Sequence, residues 1–151
     1  MKLNNKIALI TGGARGIGLG FAQAYVREGA KVVIADIDIE RATRAAAAIG
    51  AAARAIQLDV TDLGAIERVV AEVDRDFGGI DILVNNAAIF DMAPITDITE
   101  ASYDRVFAIN LKAPLFMMKA VANVMIARGR GGQIINMARQ ARRPGEGRGA
   151  L

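Results

Sequence analysis

The glycine-rich stretch at residues 11–18, Thr-Gly-Gly-Ala-Arg-Gly-Ile-Gly, has the residue types and spacing needed to hold a phosphate. It follows an apolar run at 7–10 and leads into an apolar-periodic segment that begins at Ile17. A helix starting there presents unpaired backbone N–H groups and a partial positive charge, and glycines let a ligand approach the backbone. The stretch contains no Gly-Lys-Ser/Thr, which excludes a P-loop NTPase. It predicts a dinucleotide site, and an ordinary tight turn is the alternative.

A carboxylate, Asp36, stands where such a site would need one. It ends the second predicted strand, 18 positions after Gly18. An acidic residue at about this spacing binds the adenosine ribose hydroxyls in dinucleotide folds, and it repels a 2′-phosphate. Arg15 would attract that phosphate, but Asp36 would lie against the hydroxyl itself, so the pattern favours NAD over NADP. The alternative is a helix N-cap or a solvated loop residue, since Asp38 and Glu40 follow closely.

The composition restricts the remaining chemistry. The chain has 151 residues, of which 53% are hydrophobic, and it contains no Cys and no His. These absences exclude disulfides, thiol nucleophiles, His-based triads and nearly all zinc sites, so we expect no metal. Acid–base chemistry must therefore use carboxylates, Lys, Tyr or a cofactor.

The net charge of +3 is concentrated at one end of the chain. Residues 139–151 contain four arginines and one acid, which accounts for the whole excess. Residues 1–138 show no basic bias, so we expect no nucleic-acid partner. The short polar start does not fit a signal peptide, and no uninterrupted apolar run approaches the ~18 residues of a membrane span. We therefore expect a cytoplasmic protein with no membrane partner.

The elements that must position these residues alternate between strand and helix. Strands are predicted at 6–11, 31–36, 54–60, 80–84 and 133–137, and helices at 17–28, 39–49, 63–77 and 99–127. Strands rich in Val, Ile and Leu, each followed by a helix, predict an α/β fold with a parallel sheet covered on both faces. We predict one domain at 1–138 and a basic, disordered tail at 139–151.

Further motifs follow the glycine loop in the order of one family. Asp59-Val60 ends the third predicted strand, Asn-Asn-Ala-Ala at 85–88 follows the fourth, and Asn110 lies in the long helix. With the spacing Thr-Gly-x-x-x-Gly-x-Gly, these residues resemble the short-chain dehydrogenases/reductases over residues 6–138. Ala88 stands in place of the family's usual Gly. Within the family, the chain most resembles bacterial polyol dehydrogenases that act on sorbitol or galactitol.

The resemblance implies a Rossmann-type doubly wound parallel sheet, here with five of the usual seven strands, and hydride transfer between a hydroxyl carbon and NAD. The positions that it assigns to cofactor binding are Gly12, Arg15, Gly16, Ile17, Gly18, Asp36, Asp59, Val60, Asn86, Ala87 and Ala88. Asn110 matches the catalytic Asn, which holds a water in the family's proton relay. The alternatives are a plain strand-end role for Asp59, a polar turn for the Asn pair, and a merely structural role for Asn110.

The resemblance breaks at the family's catalytic Ser, Tyr and Lys. Arg139 stands where the Ser is expected, and neither Tyr25 nor Tyr103 is followed by Lys at the fourth place. We therefore expect an inactive, C-terminally truncated fragment whose fifth strand is an exposed sheet edge. The composition of residues 139–151 suggests translation in a shifted frame. A non-catalytic NAD-binding or interaction protein is the alternative, whereas the Asn-Asn-Ala-Ala motif and the wide glycine spacing argue against a methyltransferase.

The predicted helix at 99–127 is apolar on more than one face. The resemblance implies that it packs against its copy in a homo-oligomer of the full-length protein, and burial within one monomer is the alternative. The expected small-molecule partner is a polyol or another secondary alcohol. Ile89, Phe90 and Asp91 are the candidate substrate contacts within this chain.

Overall fold

The computed structural model describes residues 1–138, which form a five-stranded parallel sheet in the order β3-β2-β1-β4-β5. The strands are β1 (Ile7–Thr11), β2 (Lys31–Asp36), β3 (Ala53–Gln57), β4 (Ile82–Asn85) and β5 (Gln133–Asn136). The helices are α1 (Gly16–Arg27), α2 (Ile39–Ile49), α3 (Leu63–Phe77), α4 (Glu100–Phe107) and α5 (Ala113–Ala127). The predicted doubly wound α/β fold is thereby confirmed. The tail predicted at 139–151 lies outside the described residues.

Each face of the sheet carries its own apolar core, because successive strand residues point to opposite sides. Leu9 and Leu83 pack with residues of α3 and α5 on one face. Ile10 and Ile34 pack with alanines of α1 and α2 on the other. This arrangement places the carboxyl ends of β1, β2 and β4 side by side. They form one edge of the sheet, the edge at the C-terminal ends of its strands.

The third strand is shorter than predicted. β3 ends at Gln57, so Asp59 and Val60 lie in the loop that follows it and not in the predicted strand at 54–60. Pairing stops there because the neighbouring strand β2 itself ends, at Asp36, whose carbonyl oxygen accepts a last hydrogen bond from the Leu58 N–H at 2.9 Å.

The predicted helix at 99–127 is divided in two by a π-helical turn at Ala108–Lys112, which contains Asn110. Beyond this turn, α5 buries Ala113, Met117, Val121 and Met125 against the sheet. Other large apolar side chains of α5 stay in solvent, with Leu115 57% and Ile126 76% exposed. Burial within the monomer therefore covers only part of its apolar surface.

The helical segment Glu100–Ala127 meets the length and hydropathy criteria for crossing a membrane, with a hydropathy of 1.2 over its 18-residue window and 22% of that window buried. The segment is not an uninterrupted apolar run, since it contains Lys112 and Lys119. Core helices of soluble proteins meet the same criteria, so the finding does not by itself place the helix in a membrane.

Candidate cofactor site

The glycine loop between β1 and α1 needs its glycines for two different reasons. A Cβ on Gly12, which has φ +62°, would lie 2.9 Å from the Ala87 Cα. A Cβ on Gly18 would collide with the Gly12 carbonyl oxygen and lie 2.6 Å from the Asn86 Nδ2. Gly16 has φ +55°, and nothing lies within 4 Å of the position of its Cβ. Close packing therefore requires glycine at positions 12 and 18, whereas glycine at position 16 leaves the backbone open to a ligand.

The N-terminus of α1 differs from those of α2, α3 and α4. Asp38, Asp62 and Thr99 cap α2, α3 and α4 by accepting hydrogen bonds from first-turn N–H groups. Arg15 stands at the N-cap of α1 without a side-chain cap bond, and no acidic residue lies in that first turn, where Ile17 is exposed. The N–H groups and partial positive charge of this turn are therefore available to an anion.

The Asp36 side chain lies against the glycine loop. Its Oδ2 accepts a hydrogen bond from the Ala14 N–H at 3.1 Å, and its Oδ1 accepts one from the Asp38 N–H at 3.1 Å. The N-cap of α2 is Asp38, whose carboxylate accepts from the Arg41 N–H at 2.9 Å. The alternative that Asp36 serves as the N-cap is therefore excluded.

Thr11 and Asn86 join the glycine loop to the end of β4. The Thr11 Oγ1 accepts hydrogen bonds from the N–H groups of Asn86 and Ala87, both at 3.1 Å. The Asn86 Nδ2 donates to the carbonyl oxygens of Thr11 and Gly12, at 3.1 and 3.0 Å. Thr11 is buried and is not among the cofactor-binding positions that the sequence predicts. In the sequence, the role of Thr11 is indicated by a single polar residue at the end of an apolar strand.

The rest of the Asn-Asn-Ala-Ala motif faces the neighbouring strand and the space beyond it. Buried Asn85 donates from its Nδ2 to the Oδ1 of Asn136, its partner in the β4–β5 pairing, at 2.8 Å. Ala87 packs on Gly12, and Ala88 lines a large groove beside α5. The motif therefore ties β4 to both of its neighbours, β1 and β5.

Asp59 and Val60 have separate environments. The Asp59 Oδ1 accepts from the N–H and the Oγ1 of Thr61, at 2.9 and 2.7 Å, so its hydrogen bonds stay within its own turn. Val60 lines a small cavity together with Thr11 and Ala87. The structure thus brings Val60 to the edge that carries the glycine loop.

The Asn110 side chain holds the loop between β4 and α4. Its Oδ1 accepts from the Ile89 N–H at 2.9 Å, and its Nδ2 donates to the Ile89 carbonyl oxygen at 2.7 Å. The Asn110 amide thus makes the same pair of hydrogen bonds to the Ile89 backbone that a residue of a neighbouring strand would make. The π-helical turn places Asn110 where it can do so. The side chain therefore acts in this structure as a positioning group for residue 89.

A second attachment holds the same loop. The Ser102 Oγ donates to the Asp91 carboxylate, which also accepts from the Ala93 N–H at 2.9 Å. These two hydrogen bonds, that from Ser102 first, lower the pKa of Asp91 below its ordinary value. Phe90 lies between the two attachments and is 68% exposed. Among the three candidate substrate contacts, Ile89 and Asp91 are thus held by protein groups and Phe90 projects freely.

The two tyrosines both lie in helices and pack against phenylalanines. Tyr25 lies in α1, edge-on to Phe21, and burial raises the pKa of its hydroxyl. Tyr103 lies in α4 and stacks on Phe107 with a centroid separation of 4.1 Å. Within residues 1–138, no group of three or more Asp or Glu side chains is placed to hold a metal ion.

A family model described as short chain dehydrogenase matches residues 6–149. The chain belongs to the short-chain dehydrogenase family. Its relatives include the galactitol 2-dehydrogenase of Agrobacterium fabrum, 76% identical over 146 residues, and the sorbitol dehydrogenase of Cereibacter sphaeroides, 66% identical over 146 residues. Each alignment covers 97% of this chain and 57% of the relative. The chain therefore spans little more than half the length of these curated dehydrogenases.

More distant relatives differ in the cofactor that their names give. The NAD-dependent glycerol dehydrogenase of Listeria innocua is 37% identical over 139 residues, which is 92% of this chain and 54% of the relative. A crystal structure of a metagenomic short-chain oxidoreductase in complex with NADP matches with a TM-score of 0.82 and 33% identity. That match covers 89% of this chain and 63% of the other. The short-chain dehydrogenase fold thus occurs among these proteins with either nicotinamide cofactor.

Proposed function

We propose that this short-chain dehydrogenase chain binds NAD at the edge formed by β1, β2 and β4. The observation that carries the proposal is the uncapped N-terminus of α1, which meets the open backbone at Gly16. Backbone N–H groups and the helix dipole at this point would hold the pyrophosphate. Gly12 and Gly18 permit the tight loop, and Thr11 with Asn86 holds it in place.

Asp36 supports NAD and not NADP as the partner. Its carboxylate is fixed next to Ala14, at the side of the loop where the adenosine ribose binds in such folds. A 2′-phosphate at this place would face a fixed negative charge. The exposed Arg15 would favour the phosphate, but the structure pairs no basic group with Asp36 that would neutralise it within residues 1–138. Asp59 and Val60 are proposed to line the adenine side of the same site.

For a chain of the full length of these relatives, the reaction that we propose is oxidation of a secondary hydroxyl of a galactitol- or sorbitol-like polyol to a ketone in the cytoplasm. The bound nicotinamide would supply the hydride acceptor. Asn110 would contribute by fixing residue 89 beside the groove. Neither Tyr25 nor Tyr103 is followed by Lys at the fourth place, so we propose that the 151-residue chain binds the cofactor without turnover.

Cofactor titration by calorimetry tests the site, with NAD and NADP added separately to the wild-type chain, Asp36→Ala and Asp38→Ala. We expect Asp36→Ala to weaken NAD binding by roughly tenfold, the value of a lost hydrogen bond to a charged group, and to improve NADP binding. Asp38→Ala is the matched control, because it removes the cap of α2 from the same turn. Equal NAD affinity in all three proteins, or no binding, would contradict the proposal.

A non-catalytic NAD-binding or interaction protein is the second candidate, favoured by the lack of a Lys at the fourth place after either tyrosine. NADH formation from galactitol or sorbitol distinguishes it from an active enzyme. Absorbance that rises in proportion to the chain concentration would show turnover and overturn the inactive-fragment proposal. A flat trace with measurable NAD binding is the expected result.

We also propose that helix 99–127 carries self-association in a chain of the full length of these relatives. Ile126 projects away from the sheet, on the far side of α5 from the buried stripe. Light scattering after gel filtration should show a smaller assembly for Ile126→Asp than for the wild type, with unchanged helix content. An unchanged mass would contradict this interface.

A further inference from the structure

The turn between β2 and α2 begins at Asp36, and the end of β3 holds the backbone of this turn. Gln57 is the last residue of β3 and lies opposite Asp36 in the pairing of β2 with β3. Its side-chain Nε2 donates a hydrogen bond to the Ile37 carbonyl oxygen at 3.3 Å. A side chain of β3 thus reaches the residue that directly follows Asp36.

The bond from Gln57 and one of the bonds to Asp36 are made by the same peptide group. The peptide between Ile37 and Asp38 is trans, so its carbonyl oxygen and its N–H point in opposite directions. The carbonyl oxygen accepts from Gln57, and the N–H donates to the Asp36 Oδ1 at 3.1 Å. In such a chain each hydrogen bond polarises the peptide and strengthens the other. Rotation of this peptide would break both bonds at once.

Side-chain packing contributes little to the orientation of this peptide. The Ile37 side chain is 64% exposed, so no buried contact fixes it in place. The Asp38 carboxylate accepts from the Arg41 N–H at the start of α2 and is therefore already engaged. Hydrogen bonds from the end of β3 hold the turn from the other side, through Gln57 and through the Leu58 N–H, which donates to the Asp36 carbonyl oxygen at 2.9 Å.

The Asp36 carboxylate depends on this peptide for one of its two attachments. Its Oδ2 accepts from the Ala14 N–H and its Oδ1 from the Asp38 N–H. If the peptide between residues 37 and 38 turns, the attachment to Ala14 alone remains and the carboxylate is free to rotate. A carboxylate that is not held in place binds ribose hydroxyls less well and opposes a 2′-phosphate less strongly. Gln57 is uncharged, so its influence on a cofactor is exerted through the position of Asp36.

We propose that Gln57 is a positioning residue for Asp36 and that it strengthens the discrimination between NAD and NADP. The step from the position of Asp36 to the cofactor rests on the proposed function, in which NAD binds beside Asp36. The positioning itself is a property of the chain without cofactor. Each step therefore has its own measurement.

Calorimetric titration of NAD and of NADP into the wild-type chain, Gln57→Ala and Gln23→Ala measures the effect on the cofactor. We expect Gln57→Ala to weaken NAD binding by about threefold, the value of a single exposed hydrogen bond, without weakening NADP binding. A general loss of stability would instead weaken both cofactors by the same factor. Gln23→Ala is the matched control, because it removes an exposed glutamine side chain from α1, and both affinities should stay within about twofold of the wild type.

The variant that combines Gln57→Ala with Asp36→Ala separates an action through Asp36 from any other action of Gln57. We expect Gln57→Ala to have no further effect on NAD affinity once the Asp36 carboxylate is absent, because the two substitutions then remove the same interaction. A loss that persists in the Asp36→Ala background would overturn the proposal. An equal loss for NAD and NADP in Gln57→Ala would overturn it as well.

Amide hydrogen exchange in the cofactor-free chain tests the positioning without NAD. The Asp38 N–H should exchange about threefold faster in Gln57→Ala than in the wild type, and also in Gln57→Glu, which keeps the side-chain length but removes the donor at neutral pH. Amides of β1 are the internal reference for global unfolding and should not change. Unchanged exchange at Asp38 in both variants would overturn the positioning role. Faster exchange at Asp38 with no NAD binding by the wild type would count against the proposed function only.

Discussion

The cofactor edge and the β5 groove, which runs from Ala88 along Leu111 and Leu115 to Asn136, meet at the start of the loop after β4, and they are completed in different ways. At the cofactor edge, the side chains of Thr11, Asp36 and Asn86 form hydrogen bonds with backbone groups of neighbouring segments of the chain. In the described part of the chain no buried side-chain nitrogen or oxygen lacks a hydrogen-bond partner. At the groove, Leu111 and Leu115 remain in solvent. One region is internally complete, whereas the other has its apolar surface uncovered.

The two regions differ because polar and apolar surfaces are completed by different means. A short loop can satisfy its own donors and acceptors through nearby side chains, as Asn86 does for Thr11 and Gly12. An apolar surface is covered only by another packed element, and beyond β5 the described residues supply none. The cofactor edge is therefore expected to function in the chain as it stands, while the apolar side chains of the groove stay exposed.

The largest expected effect concerns α5, which contributes to both regions. Met117 is 1% exposed, so Met117→Ala should reduce the free energy of unfolding by about 2–5 kcal/mol through cavity formation. Leu115→Ala, on the groove side, should change it by less than about 1 kcal/mol, because that side chain is mostly solvated. Urea unfolding of both variants makes the measurement. Comparable losses would mean that the groove side is packed after all.

Next in size is the removal of the Thr11 hydroxyl. Thr11→Val leaves the N–H groups of Asn86 and Ala87 without their acceptor, which should cost about 2–4 kcal/mol and weaken NAD binding. Thr96→Val is the control, since the Thr96 hydroxyl bonds only to exposed Asp97. Chemical denaturation and NAD titration measure both consequences. A stable Thr11→Val chain with full NAD affinity would remove the basis for an internally completed cofactor edge.

A smaller effect is expected at the glycines of α1. Gly18→Ala forces the Gly12 carbonyl or Asn86 to move, which should cost about 1–3 kcal/mol and disturb the loop. Gly20→Ala meets nothing within 4 Å and should stabilise the helix by up to about 1 kcal/mol. Thermal unfolding of the pair provides the test. If both substitutions destabilised the chain, α1 would be sensitive to any substitution of glycine. Close packing of the loop would then not explain the effect at Gly18.

The smallest effect is expected at the Asp91–Ser102 attachment beside the groove. Because the pKa of Asp91 is lowered in the folded chain, its contribution is present above the ordinary carboxyl pKa and is lost as pH falls through the lowered value. Ser102→Ala should bring the Asp91 pKa back toward its ordinary value and speed hydrogen exchange at Ala93. Carboxyl NMR titration measures the pKa. An unchanged titration in Ser102→Ala would assign the shift to the Ala93 and Met92 N–H groups and to Arg105.

Much of the fold follows from local residue order. The bounds of β2, α2 and α3 are the predicted ones, because apolar periodicity and capping residues such as Asp62 act over a few positions. The glycine loop and Asp36 at the end of β2 are also predicted from the sequence, because both lie within one strand–helix–strand unit.

Contacts between distant segments decided the rest. β3 ends early because β2 ends beside it, and the identity of Asn110 predicts neither the π-helical turn around it nor its contact with Ile89, 21 positions away. The role of Thr11 likewise depends on N–H groups 75 and 76 residues further along the chain. Short-range periodicity specifies elements and their order, whereas hydrogen bonds across the sheet edge and the exposure of the β5 groove exist only once those elements are packed.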